Sequence, residues 1–209
     1  MTKIITVSGF LGAGKTTAIA ELASCYTNTG YKVAIITNDQ GSDLVDTQFL
    51  RSRGFATEEI FGGCFCCNFT DMKETVLKLY DDLKPDIILA EAVGSCTDLY
   101  ATVVKPLHTN YPDKFELSPL VTMADPKRVV EIYSNDRRIF PHEVDYLFKK
   151  QLEEAQMIVL TKSDLYNETY IGSAINHLSK NHIDVPIKVI SSKLQQGIKM
   201  LATSIYSTP

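Results

Sequence analysis

Short apolar runs recur along the chain, and between them apolar positions return at helical spacing. Ile4-Ile5-Thr6-Val7, Val33-Ala34-Ile35-Ile36, Ile87-Ile88-Leu89-Ala90, Leu120-Val121-Thr122-Met123, Met157-Ile158-Val159-Leu160 and Ile187-Lys188-Val189-Ile190 read as strands. Ile19, Leu22 and Ala23 share one helix face after the first run. Val76, Leu79, Tyr80 and Leu83 do the same, and Asp71 and Glu74 are spaced for a capping box at that helix's start. Val144, Leu147 and Phe148 mark a further helix, as do Ile171, Ala174, Ile175 and Leu178, and finally Ile198, Leu201 and Ile205. Gly30 is placed to stop the first helix, and Asp125-Pro126 supplies an N-cap and first-turn pair for another. Strands alternating with helices predict an α/β fold with a mostly parallel central sheet covered on both faces. Residues 105–119, with Pro106, Pro112 and Pro119, read as the least regular stretch, an excursion at the sheet edge. No linker or repeat interrupts the pattern, so residues 1–209 are expected to form one domain.

Composition narrows this picture a little. A chain of 209 residues can bury a substantial core, and 44% apolar with 22% charged residues is ordinary for a globular protein. A net charge of −4 argues against general nucleic-acid binding. No apolar stretch approaches the roughly 18 residues of a membrane helix. Residues 1–8 read as a core strand with no cleavable signal before it, so a cytoplasmic location is expected. In that setting the five cysteines are not expected to pair as disulfides, and a close group of them points to metal or redox chemistry.

The run Gly9-Phe10-Leu11-Gly12-Ala13-Gly14-Lys15-Thr16-Thr17 fits G-x-x-x-x-G-K-T, between a strand and a helix. Its glycines let backbone N–H groups converge on phosphate oxygens, and the helix N-terminus adds partial positive charge. Gly12, Ala13, Gly14, Lys15, Thr16 and Thr17 are therefore nucleotide-binding candidates. Lys15 would reach the terminal phosphates and Thr16 would bind Mg²⁺.

Further polar groups fall at strand ends, where ligands bind in such sheets. Asp39, in Thr37-Asn38-Asp39-Gln40-Gly41, is a candidate for Mg²⁺ or water positioning, although these residues also suit a plain turn. Glu91 closes a very apolar strand, where a carboxylate needs a partner such as Mg²⁺ and an attacking water. Gly94 allows a backbone N–H close to a γ-phosphate. In Thr161-Lys162-Ser163-Asp164, Asp164 can accept two hydrogen bonds from guanine, a pair adenine cannot offer. The Lys162 stem can pack along the base. Ser191-Ser192-Lys193 follows the last strand, and Ser192 and Lys193 can complete a base pocket.

The second strong signal is Gly62-Gly63-Cys64-Phe65-Cys66-Cys67. Cys64, Cys66 and Cys67 offer soft ligands for Zn²⁺ or another late divalent ion. Three thiols leave a tetrahedral site one ligand short. Water, Asp39, Cys96 or a group from a second chain are open alternatives for the fourth. Cys64 and Cys67 also have C-x-x-C redox spacing, and some of these thiols can simply pack in a core. Cys25 reads as core, and His108, His142, His177 and His182 are scattered.

Taken together, the motifs resemble the CobW/HypB/UreG family of P-loop GTPases, and its CobW-like branch most. The resemblance rests on residues 9–17, Asp39, the C-x-C-C of Cys64–Cys67, the E-x-x-G of Glu91–Gly94 and the T-K-x-D of Thr161–Asp164, in the family's order. It implies a GTPase coupling nucleotide state to delivery of Zn²⁺, Co²⁺ or Ni²⁺ to a client metalloprotein, with dimerisation around nucleotide in some members. By carry-over, Lys15, Asp39 and Glu91 are catalytic, and Thr16, Asp39 and Glu91 serve Mg²⁺. Asp164 selects guanine, and Cys64, Cys66 and Cys67 hold the cargo. Two departures stand out. No second C-terminal domain with a histidine-rich stretch is expected here, and Thr161 replaces the usual Asn. The rival readings are a P-loop small-molecule kinase and a GTP-dependent regulatory switch with structural cysteines.

Overall fold

The computed structural model describes residues 1–38, 45–61, 63–134 and 141–208. Among them, eight strands form one sheet: β1 (Thr2–Ser8), β2 (Val33–Thr37), β3 (Ala56–Glu59), β4 (Ile87–Glu91), β5 (Phe115–Leu117), β6 (Val121–Ala124), β7 (Met157–Leu160) and β8 (Ile187–Val189). The order is β3-β2-β4-β1-β6-β7-β8, with β5 beside the start of β1, and every pairing is parallel. The α/β reading with a parallel central sheet holds.

Alternate side chains of the central strands enter opposite layers, as the period of a strand requires. Ile5, Val7, Val121, Met157 and Val159 face α1 (Lys15–Asn28) and α8 (Ile198–Ser207). Ile4, Ile88 and Ala90 face α3 (Phe69–Leu83) on the other side. Ile158 and Leu160 pack on that side with residues of α5 (Pro126–Tyr133), α6 (His142–Glu153) and α7 (Glu168–Lys180). Each fully buried Ile or Val here contributes roughly 1.5–3 kcal/mol.

Two expectations are corrected. Asp71 and Glu74 form no capping box: α3 starts earlier, at Phe69, with Asn68 before it and no side-chain cap bond. Residues 105–119 are not an irregular edge excursion. A π-helical turn (Tyr100–Val104) runs into α4 (Lys105–Asn110), and β5 then pairs with β1 inside the sheet. Pro106 sits in the first turn of α4, where its missing N–H costs nothing. Helix α2 (Val45–Ser52) and strand β3 were not evident from the apolar pattern.

The register sets the functional edge. Val7 pairs with Glu91, and Thr37 pairs with Glu91. The carboxyl ends of β1, β2 and β4 are therefore level. Sheet order reverses about β1, because β4 and β2 lie on one side while β6, β7 and β8 lie on the other. Such a switch point is where ligands bind in open parallel sheets.

Candidate nucleotide and metal site

The phosphate loop leaves β1 at Ser8 and enters α1 at Lys15. Gly14 adopts φ 84° immediately before the helix, a left-handed conformation that glycine takes without steric cost. The α1 N-terminus has no side-chain cap, so its first N–H groups are presented by the loop itself. The Lys15 ammonium donates to the Gly9 carbonyl at 2.9 Å and curls under the loop. The Thr16 hydroxyl donates to Glu91 Oε1 at 2.8 Å. Glu91 is buried at 6% exposure, at the end of β4. A hydroxyl and a carboxylate in contact form an all-oxygen donor set, which fits the hard ion Mg²⁺. Lys15, Thr37, Glu91 and Gly94 line one small cavity at the sheet's carboxyl edge, joined by Asn38 and Asp46. Asp39 lies outside the described residues, as do Gln40 and Gly41.

Gly94 packs against the phosphate loop. A Cβ there would stand 2.8 Å from the Leu11 nitrogen, so only glycine fits this approach. The Glu91–Gly94 segment therefore touches the phosphate loop at two points, Thr16 and Leu11.

A second cavity, of about 300 Å³, lies beside the loop. Gly14, Thr17, Thr161, Lys162, Asp164, Ser192 and Lys193 line it, together with Leu165. Residues expected to bind nucleotide, from three separated stretches of sequence, thus come together. The Ser191 hydroxyl donates to Asp164 Oδ1 at 2.6 Å and orients the carboxylate. Ser191 is fully buried and also accepts from the Leu194 N–H at 3.1 Å. The Thr161 hydroxyl donates to the Ala13 carbonyl at 2.7 Å, joining its turn to the phosphate loop.

Lys162 is set by a residue the motif reading treated only as a helix cap. Its ammonium lies 2.8 Å from Asp125 Oδ2, and the Tyr166 hydroxyl donates to Asp125 Oδ1 at 2.7 Å. Asp125 also caps α5 by accepting from the Lys127 N–H, as expected. Burial works to raise the Asp125 carboxyl, but the bonds from Lys162, Tyr166 and Lys127 outweigh it and hold it below its ordinary value.

The cysteine turn precedes α3. Phe65 is fully buried, and this anchors the turn while the thiols gather beside it. Asn68 N–H donates to the Cys64 carbonyl at 2.9 Å, and the Asn38 amide donates to the Gly63 carbonyl at 2.7 Å. The second of these bonds ties the turn to the end of β2; nothing in the sequence motif signals it. Cys64, Cys66 and Cys67 sulfurs all lie within 4.8 Å of one another. Cys66 Sγ is 2.9 Å from Cys64 Sγ and 4.0 Å from Cys67 Sγ. Cys96 is also here, at 3.4 Å from Cys66. Among the described residues no cysteine is in a disulfide. Burial raises the Cys64 thiol, but hydrogen bonds from Cys66, Cys67 and Cys96 outweigh it and bring it down to about 7. Burial and bonds to Cys64 and Cys96 push Cys66 up to about 12. Clustered thiols of this kind give up protons when a soft cation binds. Cys25 lies elsewhere, half-buried against the α1 layer.

These features define a nucleotide-binding domain with a thiol cluster at its phosphate edge. The family model for the CobW/HypB/UreG nucleotide-binding domain matches residues 3–186, and the chain belongs to that family. It is similar to the zinc chaperone YeiR of Escherichia coli, 30% identical over 167 residues, covering 78% of this chain and 47% of that protein. It is also similar to the zinc chaperone CobW of Sinorhizobium, 30% identical over 199 residues, covering 83% of this chain and 54% of that protein. The chain thus spans about half the length of the curated relatives it matches. The nickel complex of HypB from Helicobacter pylori shares the fold, with a TM-score of 0.70 at 15% identity, covering 98% of this chain and 86% of that one. Among the described residues no helix is long and apolar enough to cross a membrane.

Proposed function

We propose that this chain binds and hydrolyses GTP and uses the nucleotide state to hold and release a divalent metal ion for a client protein. The observation that carries this reading is the continuity of the two sites. Thr16 contacts Glu91, Gly94 packs on Leu11, and the same loop ends at Cys96 within 3.4 Å of the cysteine turn.

In this reading Asp164, oriented by Ser191, accepts from the guanine N–H groups. Lys15 and the first N–H groups of α1 neutralise phosphate charge and position it, which is the main work of phosphoryl transfer. Thr16 and Glu91 hold Mg²⁺, whose charge offsets that of the terminal phosphates. Glu91 and Asp39 orient the attacking water. Cys64, Cys66 and Cys67 hold the cargo as substrate. Zinc is the first expectation, because the curated relatives cited above are zinc chaperones; Co²⁺ and Ni²⁺ suit the same site. Free clustered thiols suit a reducing, cytoplasmic setting. A small-molecule kinase would leave both Asp164 and the thiols without a role.

Metal analysis of the purified protein with Mg²⁺ and a non-hydrolysable GTP analogue, repeated without nucleotide, tests the reading. Bound metal that depends on nucleotide, and that Cys66→Ser removes while GTP binding persists, is the expected result. ATP preference, or misfolding of Cys66→Ser with no metal on the wild type, contradicts it. A nucleotide-dependent homodimer is part of the proposal and is read by sedimentation with and without the analogue.

A further inference from the structure

The family motif supplies three thiols, but four meet in the fold. Cys96 is outside the C-x-C-C run, 30 residues from Cys66 in sequence and 3.4 Å from it in space. It is 2% exposed, so its sulfur approaches the cluster from the protein interior. Its backbone is well fixed. Cys96 N–H donates to the Val93 carbonyl at 3.0 Å. The buried Gln151 amide donates to the Gly94 and Cys96 carbonyls, each at 3.0 Å. Gly94 and Cys96 are therefore held as one unit.

Around Cys66 the sulfur spacing approaches that of a four-sulfur site. Cys64, Cys66 and Cys67 form the group whose sulfurs all lie within 4.8 Å of one another, so the ion would draw Cys96 in. A tetrahedral zinc–thiolate centre has Zn–S bonds of about 2.3 Å, which sets S···S edges of about 3.8 Å. Cys66 reaches Cys64, Cys96 and Cys67 at 2.9, 3.4 and 4.0 Å, values that bracket that edge. Cys67 is exposed and Cys96 is buried, so the thiols around Cys66 run from the surface into the interior.

We infer that Cys96 is a fourth thiolate ligand of the cargo ion. The ion then ties the cysteine turn to the segment that carries Glu91 and Gly94. This rests on the metal-delivery reading above. On binding, each ligating thiol gives its proton to solvent. With Cys96 in place the ion is fully enclosed by sulfur. Withdrawal of Cys96 leaves three ligands and an open position, which a client's ligand fills. Because Gly94 lies against Leu11 of the phosphate loop, a shift of that segment with nucleotide changes the ligand count.

The test is a Co²⁺ titration of the full chain, followed by absorption, for wild type, Cys96→Ser, Cys96→Ala and Cys66→Ser. Circular dichroism of each metal-free protein checks folding, and Cys96→Ala keeps a small apolar group in the core if the serine variant does not fold. Wild type is expected to show the intense visible bands of four-thiolate Co²⁺. Each folded Cys96 variant is expected to lose about a quarter of the sulfur-to-cobalt charge-transfer intensity, one bond of four. Its Co²⁺ affinity is expected to fall by at least about 10-fold, since even an outer-shell partner is worth that. An unchanged spectrum and affinity in a folded Cys96 variant, with loss in Cys66→Ser, overturns the inference and leaves the metal-delivery reading standing. Absence of Co²⁺ binding by wild type overturns both.

Discussion

The Thr16 hydroxyl lies 2.8 Å from Glu91 Oε1, although 75 residues separate them. The contact joins the first turn of α1 to the end of β4, and it brings together two of the side chains expected to serve Mg²⁺. Replacing Glu91 with Gln keeps the shape and removes the charge. Single-turnover GTP hydrolysis is expected to fall about 10²-fold or more in Glu91→Gln. Nucleotide binding without Mg²⁺ should change little. Hydrolysis within twofold of wild type, roughly the scatter of such assays, would remove Glu91 from the catalytic role.

Asp164 lines the cavity proposed for the base, with its carboxylate oriented by Ser191. Asp164→Asn replaces an acceptor pair with a mixed donor and acceptor. GTP affinity is expected to fall by about 10²-fold or more, from the loss of two charge-assisted hydrogen bonds. Xanthosine triphosphate, which carries a carbonyl where guanine has its amino group, should bind better to the variant than to wild type. Competition against a fluorescent GDP reads both changes. Retained GTP preference would place the base elsewhere.

The phosphate loop, the thiol run and Thr161–Asp164 were legible because each is local, with its chemistry held within a few consecutive residues. The pairs that assemble the site are not local. Ser191 and Asp164 are 27 residues apart, and Cys66 and Cys96 are 30 apart. A motif does not show that the Thr161 hydroxyl is directed at the Ala13 carbonyl. Strand β3 reads Ala-Thr-Glu-Glu, with no apolar signal, and is held by backbone pairing to β2. β5 is only Phe115–Leu117, too short for periodicity to register, and forms because β1 offers it a free edge below β6.

Gly94 was expected to serve the γ-phosphate, and its packing supplies an independent reason for glycine. In Gly94→Ala the new methyl meets Leu11 backbone, which cannot rotate away. Overpacking of this kind costs about 1–3 kcal/mol. Thermal unfolding of the metal-free, nucleotide-free protein should show a lowered midpoint, and hydrolysis should fall as well. An unchanged midpoint would mean the two loops separate at no cost.

Asp125 gives a pH signature. Its carboxyl is held below the ordinary value by Lys162 and Tyr166 despite burial. A depressed folded value stabilises the fold above the unfolded carboxylate range near about 3.9, and that contribution is lost as pH falls through the folded value. Asp125→Asn should therefore be less stable than wild type by about 1 kcal/mol at neutral pH. The gap should close as pH falls below the carboxylate range. Urea unfolding across that window checks the sign, and a gap that widens towards acid would contradict it.

The central claim is that nucleotide and metal sites are one coupled device, and linkage makes such coupling reciprocal. The most direct measurement is a thermodynamic cycle: Zn²⁺ affinity with and without Mg²⁺ and a non-hydrolysable GTP analogue, and analogue affinity with and without Zn²⁺. The account predicts that each ligand changes the other's affinity by the same factor, on the order of 5–150-fold. Equal Zn²⁺ affinity in the presence and absence of the analogue would contradict it.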